Sequence, residues 1–82
     1  MVIINYIRPF VVVSASCLLT GSVEVYNDEE LIAGKKFEKE SMIQLEIPEH
    51  IEAHSIKVVV KYNNGKQVSK IIKMSSNLTS YK

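Results

Sequence analysis

From Met42 to Ile47 the chain alternates without a break, placing Ile43, Leu45 and Ile47 on one parity and Met42, Gln44 and Glu46 on the other. Successive strand residues project to opposite faces, so this pattern predicts a half-buried strand that Pro48 ends. Ser22 to Tyr26 alternates in the same way. Ile56 to Tyr62 and Lys66 to Met74 flank Asn63-Asn64-Gly65, a turn sequence that predicts a β-hairpin with glycine at a positive φ. A two-residue turn would set Val60 opposite Ser69. A three-residue loop sets Val60 opposite Val68 and Ile56 opposite Ile72, gathers apolar partners on one face, and is therefore the favoured register.

Further strands are predicted at Val2 to Ile7, Phe10 to Cys17 and Leu31 to Phe37. The first two are separated by Arg8-Pro9, where proline removes a backbone donor. Neither alternates cleanly, and Val11-Val12-Val13 puts apolar groups on both faces, which predicts a strand covered on both sides or met by a partner chain. Gly21, Asn27-Asp28 and Glu38-Lys39-Glu40 read as breaks. Glu49 to His54 is the one segment with a first-turn proline for a helical turn, but it reads as a crossover loop, and Ser75 to Lys82 reads as a polar tail.

The composition agrees with sheet: Ile and Val occur ten times each and Ala three times, and β-branched side chains suit a pleated surface. The 82 residues suffice for a single domain around one core. The expected fold is all-β, a small sandwich of about seven strands. In architecture it resembles a minimal immunoglobulin-like domain, without that family's Cys…Trp…Cys signature, since there is one Cys and no Trp.

Charge is segregated. Glu24 to Glu52 carries nine acids against three lysines, whereas His54 to Lys82 carries six lysines and no acid. Such a layout suits oppositely charged strands sharing a sheet, or two patches that draw copies together. A net charge of +1 and a lone arginine give little reason to expect nucleic acid as a partner. Nothing approaches the roughly 20 apolar residues of a membrane helix. Arg8-Pro9 splits the apolar N-terminal region, so an unprocessed N-terminus and a soluble, cytoplasmic or virion-associated protein are expected.

Candidate chemistry is sparse. His50 and His54 have helical i, i+4 spacing but lack the glutamate placement of a zincin helix, and they read as loop histidines. Cys17 in its apolar run reads as a buried small hydrophobe. No nucleophile elbow or phosphate-cradling loop is present, and no metal, cofactor or catalytic residue is expected. The expectation is a non-enzymatic subunit of a larger assembly, such as a virion surface, capsid-decorating or tail component. Its subunit contact would use Val2, Ile4, Tyr6, Phe10 and Val12. Lys57, Lys61, Lys70 and Lys73 would face Glu29, Glu30, Glu38 and Glu40 as charged patches. The alternatives are a small free-standing binding protein, such as an inhibitor of a host enzyme, and a surface module or lipoprotein attached through Cys17.

Overall fold

A computed structural model describes residues 1–48 and 55–73. The two histidines, the 49–54 segment read as a crossover loop and the 75–82 tail lie outside the described residues. Within them there are five strands and no helix: β1 (Val2–Ile7), β2 (Phe10–Asn27), β3 (Glu30–Glu46), β4 (Ser55–Tyr62) and β5 (Lys66–Lys73). The chain is all-β, but the seven expected strands are five, and all five belong to one antiparallel sheet rather than to two facing ones.

Asn27-Asp28 does lead into the turn between β2 and β3, but the count falls because the other expected breaks, Gly21 and Glu38-Lys39-Glu40, lie inside long strands next to bulges. Ala15 to Leu18 bow out of β2 where its pairing with β3 jumps from Ser14↔Met42 to Leu19↔Glu40. On β3, Lys39 takes up the next irregularity with φ +54°, and its amide donates to the Thr20 hydroxyl at 3.1 Å. A bulge keeps the ladder while bending the strand. Gly21 continues β2 and pairs with Phe37 and Tyr62.

Everything is built on β2. One edge carries β3; the other carries β1 along Phe10–Ala15 and β4 along Gly21–Tyr26, and β5 extends β4. Eighteen residues of straight strand would reach roughly 60 Å, beyond the molecule's longest dimension of 45 Å. The sheet therefore curls at the bulges. The Lys35 amine reaches the Gln44 carbonyl, 3.5 Å away and nine positions along the same strand.

The concave side is the core. Ile4, Val11, Val13, Leu19, Val23, Val25, Phe37, Ile43, Ile47, Ile56, Val58 and Val60 form one buried cluster. Fully burying such side chains stabilises by about 1.5–3 kcal/mol each. Ile43 and Ile47 are buried and Leu45 half-buried, while Met42, Gln44 and Glu46 are exposed, as their alternation predicts. The β4–β5 hairpin has the three-residue loop, pairing Val60 with Val68 and Ile56 with Ile72. Asn63, Asn64 and Gly65 all have positive φ there.

Candidate interaction surfaces

Alternation out of the core fixes what each half of the sheet shows to solvent. In the β1–β2–β3 half, the convex rows are Ile3–Ser14–Met42, Asn5–Val12–Gln44 and Ile7–Phe10–Glu46. Ile3, Ile7 and Met42 are 47%, 63% and 59% exposed, and no described element covers them. Phe10 is half-buried and Val12 is buried between its row neighbours. The face is apolar with an amide fringe, and Glu46 is its one ionised side chain. Three strands by three row spacings give roughly 300 Å², the lower end of the range for the largest apolar patch on a typical monomer and well below the ~800 Å² per partner of a standard interface.

In the β3–β2–β4–β5 half, the convex rows are Lys36–Ser22–Lys61–Gln67, then Gly34–Glu24–Val59–Ser69, then Leu31–Tyr26–Lys57–Ile71. This face is charged. An open groove of about 390 Å³ runs over it, lined by Glu24, Tyr26, Asp28, Glu29, Lys57, Val59, Lys61 and Gln67. Glu24 organises its floor, accepting from the Tyr26 hydroxyl at 2.9 Å and lying 3.7 Å from the Lys61 amine. That ion pair is partly solvated and contributes no more than about 1 kcal/mol. The Tyr26 phenol is pushed above its ordinary pKa by the hydrogen bond to Glu24, then by burial, then by the negative charge of Glu24.

No family model, curated protein or solved structure matches the chain. The surfaces are therefore judged on their own chemistry. Among the described residues no group of three His, Cys, Asp or Glu side chains gathers to hold a metal, and no helix is long and apolar enough to cross a membrane.

The residues singled out from sequence are distributed unevenly. Val2, Ile4 and Tyr6 turn inward: Ile4 is a core residue and the other two pack against the core half-buried. On β1 the outward residues are instead Ile3, Asn5 and Ile7, whereas Phe10 and Val12 do lie on the convex face beside them. Lys57, Lys61 and Lys73 share the parity of the charged convex face, and Lys70 has the opposite parity. The Lys70 amine crosses to the Ile4 carbonyl, 2.8 Å away. Glu29 lines the groove with Lys57, and Glu30 opens β3 at the same end of the sheet. Glu38 and Glu40 flank the Lys39 bulge midway along the β2–β3 ladder, away from that group. Cys17 is exposed rather than buried, because it sits in the bowed segment where alternation no longer points a side chain at the core.

Sequence reasoning missed Ile3, Ile7, Tyr26 and the inward role of Lys70. For β1 no signal was available, since both parities carry Ile. The Lys70 parity, by contrast, follows from the hairpin register.

Proposed function

We propose that the protein is a non-enzymatic structural or accessory subunit of a larger assembly, of the kind that builds or decorates a particle surface or tail. The observation supporting this reading is the uncovered convex face of Ile3, Ile7, Phe10 and Met42. A sheet with one core face normally shows polar side chains on the other, and three large aliphatic side chains in solvent suit a protein partner. The patch is too small to sustain a stable pair alone, which fits a subunit held by several modest contacts. The chain is then a single β domain whose partners are proteins.

Sedimentation velocity of the purified chain over a range of concentrations tests this. The wild type is expected to gain apparent mass with concentration. The double variant Ile7→Lys with Met42→Lys is expected to weaken that association by at least about tenfold while keeping the same circular dichroism. A wild type that stays monomeric at every concentration, or a variant that associates equally well, removes the basis of the reading.

The charged groove favours a second reading, a small binding protein that docks a target on the Lys57 and Lys61 face. In that case Lys57→Glu with Lys61→Glu abolishes capture of the target, and Ile7→Lys with Met42→Lys does not.

A further inference from the structure

We infer that the Lys70 amine is a guard on β1, keeping an aggregation-prone edge strand from stacking on the same strand of another copy. Among the described residues β1, β3 and β5 each have a single ladder partner, and so a free edge. β3 and β5 carry charged side chains along their length, whereas the six residues of β1, Val-Ile-Ile-Asn-Tyr-Ile, include no charge, Pro or Gly. A segment of that kind has the composition that stacks on copies of itself, identical side chains interdigitating in a dry zipper. β2 has a longer uncharged run, Phe10 to Val23, but it has ladder partners on both sides. The liability is therefore concentrated in β1.

The phase of the β1–β2 ladder fixes which backbone groups are at risk. The Ser16 amide donates to the Met1 carbonyl at 3.2 Å, and bonded pairs in an antiparallel ladder recur at every second residue. Ile3, Asn5 and Ile7 therefore bond to β2, while Val2, Ile4 and Tyr6 turn their amides and carbonyls to the free edge. Ile4 is the middle one of these, and its carbonyl accepts from the Lys70 amine at 2.8 Å. A docking strand needs that carbonyl and meets an ammonium and its stem instead, and a lysine on an edge blocks strand addition. Lys70 is held in reach because Val68 and Ile72, two residues to either side, pack against the core. β3 repeats the device. The Ile47 amide donates to the Pro9 carbonyl, so the same alternation turns the Gln44 carbonyl outward, where it lies 3.5 Å from the Lys35 amine. The guard is independent of the convex-face association above, which leaves the edge untouched.

The test follows thioflavin T fluorescence of the full chain seeded with fibrils of a synthetic Val2–Ile7 peptide, each variant being compared in urea at a matched folded fraction. The peptide alone is expected to form fibrils with a strand repeat of about 4.8 Å. Lys70→Met keeps the stem and removes the donor; it is expected to elongate from these seeds about fivefold faster than wild type, the enrichment of the open edge when one modest contact is lost. Lys70→Arg keeps a cationic donor and is expected to match wild type. Adding Asn5→Lys to Lys70→Met sets like charges along the stack and is expected to return the rate to the wild-type value or below. Gly21→Ala, where a Cβ would overlap the Lys61 carbonyl oxygen, loosens the sheet without touching the guard and is expected to elongate no faster than wild type. A peptide that forms no fibrils overturns the guard, as does Lys70→Met elongating like wild type. So does Lys70→Arg, Gly21→Ala or the Asn5→Lys double variant elongating as fast as Lys70→Met.

Discussion

Tyr26 carries a pH signature. Its folded pKa lies above the ordinary 10.0, so the folded chain holds the phenolic proton more tightly than the unfolded chain does. That contribution is fully present below the ordinary phenol pKa and is lost as pH rises through the raised folded value. Difference spectra of phenolate absorbance between wild type and Tyr26→Phe should isolate a transition above the ordinary range, and Glu24→Ala should return it toward that range. A Tyr26 that titrates normally in the wild type would show that the 2.9 Å hydrogen bond is not formed in solution. At this scale the sequence was legible where side chains alternate strictly, as at Met42–Ile47. It was not legible at Val2–Ile7, where the pattern offers two apolar faces and Asn5 is the one strongly polar residue. The structure chooses Ile4 for the core by pairing it with Val13, a long-range fact.

Bulges govern the elements. Gly21 lies where β2 comes closest to β4: a Cβ there would overlap the Lys61 carbonyl oxygen. Gly21→Ala must push the strands apart, and about 1–3 kcal/mol of destabilisation is expected from such overpacking. Urea denaturation checks it, with Gly34→Ala as the comparison, because a Cβ at Gly34 meets only an ordinary contact at 3.7 Å. Equal midpoints for the two variants would contradict the close approach. From sequence, Gly21 and Glu38-Lys39-Glu40 read as ends of strands. Local chemistry distinguishes poorly between a turn and a bulge, since both want glycine or a residue tolerating positive φ. The difference lies in whether a partner strand continues past the irregularity, and β2 and β3 provide that for each other.

Curling the sheet turns one layer into a closed core and leaves two seams. Lysine spans both, Lys35 to the Gln44 carbonyl and Lys70 to the Ile4 carbonyl. Lys70 and Ile4 stand 66 positions apart and link β5 to β1, which share no ladder. Replacing Lys70 with Ala should cost about 1 kcal/mol, in the range for a hydrogen bond from a charged donor tempered by solvent. Lys73→Ala on the same strand should stay within about 0.5 kcal/mol. Chemical denaturation of the two variants separates them, and a Lys73→Ala loss as large as that at Lys70 would dismiss the seam contact.

The sequence by itself determined that the chain is β, that Asn63–Gly65 closes a hairpin in the three-residue register, and that lysines gather after residue 54 while acids gather before it. Those features depend on φ preferences and on neighbours a few residues away. Only the tertiary structure decided that seven segments are five strands of one bent sheet, that Ile3 and Ile7 rather than Val2 and Ile4 meet solvent, and that one lysine of the basic run turns inward. Each of these depends on which distant strand lies alongside. Strand pairing is set by burying the whole core at once, so no single stretch of sequence records it.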